Sequence, residues 1–305
     1  MKKKAVIVGT GAIGSYFGGR LAQAGFEVTT LCRSDFEIVK AQGIEISSYL
    51  GDFHFTPHSV IQNPEEYQDE ADYVFVCVKA LPEISIIEKV KQLVVKKTAI
   101  VIIQNGIEID PPFAKAFPSN EIIGGIGFIG ATRLGYGKVK HYIAGGLSLG
   151  NYPQGVSEKT STLIKAFQGA GVEAKETTSI QRARWKKLVW NIGFNPVSVL
   201  CKGADTHQLL DNPETLKLIQ SLMKEVTQLS TALGFDISPA FAEKQIELTR
   251  QMAPYKTSMT MDIEEGRPME LEAIVNNAIK VGTRINMPTP YMKALYGLLV
   301  HHQIS

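Results

Sequence analysis

Ala5-Val6-Ile7-Val8-Gly9-Thr10-Gly11-Ala12-Ile13-Gly14 is the stretch that decides the fold. A β-branched run passes into a GxGxxG string and then into a helical pattern predicted over Gly14 to Ala24. A second strand-like run follows at Glu27 to Leu31. This is a βαβ unit, and each glycine has a mechanical task in it: Gly9 for the tight turn, Gly11 for close approach of a pyrophosphate, Gly14 for packing of helix on strand. The helix N-terminus then offers N–H groups and its positive dipole end to an anion, so no lysine is needed there. Gly9, Thr10, Gly11, Ala12, Ile13 and Gly14 are therefore the expected dinucleotide-binding turn. The plain alternative is a glycine-rich turn without a ligand.

The end of the second strand selects between cofactors. An NAD site wants Asp or Glu about 20 residues beyond the turn, to hold the ribose 2′-hydroxyl. Here the chain reads Leu31-Cys32-Arg33-Ser34. Arg33 can fork onto a 2′-phosphate with Ser34 as a second donor, which predicts NADP (NADPH) rather than NAD. The competing reading leaves Arg33 solvated and gives the ribose to Asp35.

Further near-continuous apolar runs at Asp72 to Val78, Thr98 to Ile103 and Ile122 to Ile126 have the character of strands covered on both faces by helices, which predicts a parallel sheet. Gly135 to Gly150 reads as one or two antiparallel strands added at the sheet edge. After about residue 178 strand signals give way to helical periodicity, at Ser179 to Phe194, Pro213 to Leu233, Pro239 to Met252 and Met269 to Val281. The expected architecture is an α/β N-terminal, Rossmann-type, doubly wound parallel sheet over residues 1–178 and an all-α C-terminal domain over 179–305. Ligand chemistry is expected in a cleft between them. Lys79 and Asn105-Gly106 close the third and fourth strands, at the carboxyl ends where open parallel sheets bind ligands, so Lys79 and Asn105 are candidate cofactor contacts. An ordinary helix-approach lysine and a turn-forming asparagine are the plainer readings of each.

Composition excludes several classes. Among 305 residues, 32 basic and 30 acidic side chains leave a formal charge of +2, without the clustered excess of a nucleic-acid or anionic-membrane surface. No stretch approaches the roughly 20 apolar residues of a membrane span, and the apolar run after Lys2 to Lys4 is too short for a signal peptide. A soluble, cytoplasmic protein with a small-molecule partner is expected, with no nucleic acid and no membrane. A homodimer is one assembly the sequence allows. Cys32, Cys77 and Cys201 are odd in number and widely spaced, so inert packing is expected. The six histidines form no ligand motif and no metal is predicted.

The segment Arg184-Trp185-Lys186-Lys187-Leu188-Val189-Trp190-Asn191-Ile192-Gly193-Phe194-Asn195-Pro196 carries the chemistry of the second half. Lys187, Asn191 and Asn195 are spaced i, i+4, i+8, a polar stripe on a helix otherwise rich in Trp, Leu, Val and Phe. Buried amides without partners would cost about 1–3 kcal/mol each, so a ligand explains the stripe economically. A solvated face or an interhelical network is the alternative.

With Lys79-Ala80, Gln104-Asn105-Gly106, Trp185-Lys186-Lys187-Leu188, Asn195-Pro196, Ser258-Met259 with Asp262, and Glu270 added to the glycine turn, the chain resembles the 2-dehydropantoate 2-reductase (ketopantoate reductase) family over essentially its whole length. The resemblance implies NADPH-dependent reduction of the 2-oxo acid ketopantoate to pantoate, on the route to pantothenate and coenzyme A. It implies that Lys187 is the catalytic lysine, that Asn105 touches cofactor and substrate, and that Asn191, Asn195 and Ser258 hold the substrate with Lys187. Glu270 is implied near the reacting end, as a catalytic and cofactor-side group. The chemistry agrees: reduction of a ketone develops an alkoxide, which a positioned ammonium stabilises and protonates, and a nearby glutamate keeps that ammonium charged and oriented. On position alone, Glu270 also reads as a first-turn acid stabilised by a helix dipole. Two positions depart from the family pattern: Asp205 stands where some members have asparagine, and Tyr255 replaces a polar amide. The alternatives are a reductase of another small 2-oxo acid and a non-catalytic NADP-sensing module.

Overall fold

Tyr73-Val74-Phe75-Val76 and Ala99-Ile100-Val101-Ile102 are buried at every position, as expected of central strands covered on both faces. The computed structural model describes residues 2–82 and 86–302. Its sheet comprises β1 (Lys4–Val8), β2 (Glu27–Leu31), β3 (Ile44–Ser48), β4 (Phe53–Phe55), β5 (Ser59–Ile61), β6 (Tyr73–Val76), β7 (Ala99–Ile102), β8 (Ile122–Gly135), β9 (Lys138–Tyr152) and β10 (Ala174–Glu176). The spatial order is β4-β3-β9-β8-β7-β6-β1-β2-β5, with β10 also on β9. From β5 to β8 every pairing is parallel. The order reverses at β1, whose neighbours are β2 on one side and β6 on the other, so the turns after β1 and β6 lie together at a topological switch point.

Helices α1 (Ala12–Gln23), α2 (Phe36–Gln42), α3 (Ile86–Lys91), α4 (Asp110–Ala116) and α5 (Glu158–Gly169) belong with this sheet. Phe17 of α1, Phe75 of β6 and Phe167 of α5 meet edge to face, with Phe167 at 5.7 Å from Phe17 and 6.4 Å from Phe75. All three rings are fully buried and form part of one core with Ile7, Val101 and Leu149.

The chain divides into two compact units. The second takes in α6 (Ile180–Leu200) from Gln181 onward, and also two short segments from earlier in the chain, Ala80–Pro82 and Asn105–Ile109. Its other helices are α7 (Thr206–Asp211), α8 (Pro213–Ala232), α9 (Pro239–Gln251), α10 (Ser258–Glu264), α11 (Asn277–Arg284) and α12 (Pro290–Leu299). α8 is central, packing on α7, α9, α11 and α12. Its Glu225 is buried and accepts the Tyr291 and Met292 N–H groups at 2.8 and 2.9 Å, which satisfies the otherwise orphaned start of α12. Burial pushes the Glu225 carboxyl above its ordinary range against the pull of those two donors.

The α/β architecture followed by helices is as the sequence predicts, and several details differ. The antiparallel strand β9 is not at the edge: β3 and β4 continue the sheet beyond it, and β10 pairs with it too. β8 runs on to Gly135 because it forms a long twisted ribbon with β9, with register shifts near Phe128, Gly130 and Arg133. α1 starts at Ala12, two residues before the predicted Gly14. α6 does not stop before Pro196 but continues to Leu200, because Phe194, Val197 and the residues before them are buried in the helical core, which offsets the hydrogen bond that proline removes. The predicted helix from Met269 to Val281 begins later and contains a π-turn at Glu272–Asn276.

Phe167→Ala should lower the stability of the sheet unit by about 3–5 kcal/mol, the usual cost of emptying a fully buried aromatic site, measured by urea unfolding.

Candidate active site

The glycine turn lies entirely in the sheet unit. Gly9 has φ +101°, and a Cβ there would lie 2.6 Å from Val78 Cγ1, while a Cβ on Gly14 would lie 2.0 Å from the Gly9 carbonyl oxygen. Strand, turn and helix thus approach too closely for any side chain at these two positions. At Gly11, by contrast, a Cβ would meet nothing within 4 Å. α1 starts with Gly11 as N-cap, and no side chain caps it among the described residues. Open space beside the backbone and uncapped N–H groups on a twelve-residue helix fit a pyrophosphate.

At the end of β2, Arg33 and Ser34 are exposed, whereas Asp35 is buried. The Thr10 hydroxyl donates to the Asp35 carboxylate, at 3.2 Å from Oδ1 and 3.1 Å from Oδ2. The carboxylate of the competing reading of this loop is thus already bonded to the glycine turn. Lys79, half-buried, follows β6 on the strand next to β1. The Cys77 thiol, which adjoins the turn, is pushed up to about 12 by burial, and burial raises Cys32 and Cys201 as well, so all three are poor thiolates.

Lys187, Asn105 and Glu270 come together within the helical unit, from parts of the chain 82 and 165 residues apart. Lys187 Nζ donates to Asn105 Oδ1 at 2.6 Å, Asn105 Nδ2 donates to Glu270 Oε2 at 3.0 Å, and the Ala80 N–H donates to Glu270 Oε1 at 3.0 Å. The Asn105 amide orientation follows from this ladder, because only its oxygen can accept from an ammonium and only its nitrogen can donate to a carboxylate. Part of the Lys187 side chain stays accessible, yet burial of the amine lowers its pKa from 10.5 to about 8. The Glu270 charge opposes that shift and the buried Arg184 charge adds to it.

The π-turn helps to hold the loop that carries Asn105. The Asn277 N–H bonds to the Glu272 carbonyl, five residues back, which releases the Ala273 carbonyl from the helix. That carbonyl accepts the Ile107 N–H at 3.2 Å, and the Asn277 side chain donates to the Ile107 carbonyl at 2.9 Å. The loop lies so close that a Cβ on Gly106, at φ +98°, would sit 2.4 Å from the Ala273 oxygen. Arg284 pairs with Glu108 at 3.1 Å, closing the strap.

Asn191 and Asn195 continue the stripe of α6 and are buried, and Asn195 Oδ1 has no hydrogen-bond partner among the described residues. Ser258 is the first residue of α10, whose N-cap Thr257 belongs to a buried hydroxyl chain through Thr260 to Ser198 of α6. Asp205 is the N-cap of α7: it accepts from the His207 and Gln208 N–H groups, and Gln208 returns a bond to its backbone. Tyr255 lies 6.0 Å from the Trp190 ring, which in turn stacks on Phe194.

Two family models match the chain, "Ketopantoate reductase PanE/ApbA" over residues 5–154 and "Ketopantoate reductase PanE/ApbA C terminal" over residues 179–303. The chain belongs to the ketopantoate reductase family. It is similar to the 2-dehydropantoate 2-reductase of Nostoc sp., with 33% identity over 97% of this chain and 93% of that one. Among solved structures of the ketopantoate reductase family, the 2-dehydropantoate 2-reductase from Methylococcus capsulatus is 41% identical with a TM-score of 0.92, covering 98% of this chain and 96% of that one. The one from Geobacter metallireducens GS-15 is 33% identical with a TM-score of 0.91, covering 98% and 99%. Among the described residues no three His, Cys, Asp or Glu side chains converge on a metal site, and no helix is long and apolar enough to cross a membrane.

Sequence reading missed four participants in this ketopantoate reductase fold: the Ala80 N–H on Glu270, the Asn277 strap, the Thr10–Asp35 bond and the capping role of Asp205. Only the last had a local signal, the Asp-x-x-Gln spacing of Asp205 and Gln208. Gly106→Ala should cost at least about 2 kcal/mol, combining a left-handed backbone with a backbone clash, and urea unfolding of the variant checks it.

Proposed function

We propose that the chain reduces 2-dehydropantoate (ketopantoate) to pantoate with NADPH. The observation that carries this reading is the Lys187–Asn105–Glu270 ladder, which sets a lysine with a pKa of about 8 beside a fixed amide and carboxylate. The turn Gly9 to Gly14 would hold the pyrophosphate on the α1 N-terminus, Arg33 would take the 2′-phosphate, and Lys79 and Asn105 would line the cofactor side. When bound, the cofactor supplies the hydride equivalent that the reduction consumes.

Lys187 does the proton work. At neutral pH an amine of pKa about 8 is mostly protonated yet far more acidic than an exposed lysine, which suits donation to a carbonyl oxygen as alkoxide develops. Asn105 directs the ammonium by accepting one of its protons. Glu270, held by Asn105 and the Ala80 N–H, contributes negative charge that keeps Lys187 protonated despite its burial. Asn191, Asn195 and Ser258 would bind the rest of the acid. The unpaired Asn195 Oδ1 is a buried acceptor that a substrate hydroxyl would satisfy.

Mixing the protein with NADPH and a panel of 2-oxo acids, and following loss of reduced cofactor, tests the reading; the expected outcome is fastest turnover on ketopantoate. A rate on ketopantoate equal to the enzyme-free control would overturn it. Turnover should fall as pH rises through about 8, because the active form is the protonated amine. Lys187→Ala should lose about a hundredfold or more in kcat together with that alkaline limb.

A further inference from the structure

The loop between β2 and α2 contains a carboxylate where dinucleotide sites keep their ribose acceptor, and the fold turns it away. Asp35 is the N-cap residue of α2, but its side chain makes no bond to the N–H groups of that helix. It points inward to Thr10, whose hydroxyl lies 3.1 and 3.2 Å from the two carboxylate oxygens and 3.5 Å from Cys32 Sγ. Thr10 and Asp35 are only 7% and 4% exposed, so this bond is made away from water. Arg33 and Ser34, two residues and one residue earlier, are exposed.

We propose that Thr10 is a specificity-determining residue, whose hydroxyl holds the Asp35 carboxylate inside the loop and so leaves Arg33 to meet the 2′ position of a bound adenosine ribose. The inference rests on the NADPH reading given above. A carboxylate at this point of a βαβ unit accepts from a 2′-hydroxyl and repels a 2′-phosphate. With Asp35 fixed on Thr10, the loop presents a guanidinium and a hydroxyl, both donors suited to phosphate. The threonine is well placed for this task because it lies inside the Gly9–Gly11 turn: β1 and α1 fix its backbone, while its side chain reaches across to the neighbouring strand end. Valine at position 10 would keep the shape and lose the donor. The buried carboxylate would then lack its partner and be released to rotate outward, where a ribose hydroxyl can donate to it.

Dissociation constants of NADPH and NADH, measured by isothermal titration calorimetry on the full chain, test this for the wild type, Thr10→Val, Thr10→Ser, Asp35→Asn and the Thr10→Val/Asp35→Asn double variant. Cooperative thermal melts establish that each is folded. Thr10→Val should move the NADPH:NADH affinity ratio roughly tenfold or more towards NADH, the scale of one charge-assisted hydrogen bond. Thr10→Ser should stay within about twofold of the wild-type ratio, and the double variant should return to it, since no carboxylate remains to swing out. A Thr10→Val ratio unchanged within about twofold, or a shift that persists in the double variant, overturns the clamp. Should Thr10→Val not fold, Asp35→Asn decides: a ratio within about twofold of wild type supports a withheld carboxylate, and weaker NADH with stronger NADPH binding overturns it. A wild-type preference for NADH would instead remove the NADPH reading itself.

Discussion

An ammonium with little water around it must be compensated by protein, and the helical unit is arranged around that requirement at Lys187. Burial drives its pKa down to about 8, and Glu270 limits the fall. Asn105 stands between the two charges and bonds to both. The amide ties one side of the ammonium through its oxygen and the carboxylate through its nitrogen.

One bond that holds the Asn105 loop follows from a departure from regular helix. A continuous α-helix would use the Ala273 carbonyl internally, and the Ile107 N–H would lose that acceptor. The π-turn frees that carbonyl, and Gly106 allows the loop to reach it. Irregular backbone here has an identifiable purpose, consistent with the frequent occurrence of π-turns at functional sites.

The sheet was largely legible in the sequence because its central strands are continuous apolar runs and its first turn has a steric code. Lys187, Asn191 and Asn195 were legible for a similar reason, since helical periodicity sets them on one face. β3 offers only the brief alternation Ile44-Glu45-Ile46, and β4, β5 and β10 have three residues each, too few for a local pattern to announce them. The same holds for the pairing of Asn105 with Glu270 and of Thr10 with Asp35, which depends on the folded path. Pro196 misled in the other direction: a local breaker is overridden where both flanks of the helix are buried.

The segment Asn105–Ile109 lies between two strands of the sheet unit but belongs to the helical one, where its partners reach as far as Asn277 and Arg284. During synthesis, the strands on either side of it can pair long before those partners leave the ribosome. The loop then lacks these protein partners while more than half the chain is made. Asn105 gains its bonds to Lys187 and Glu270 only after both have been made, long after the glycine turn before α1 has been synthesised.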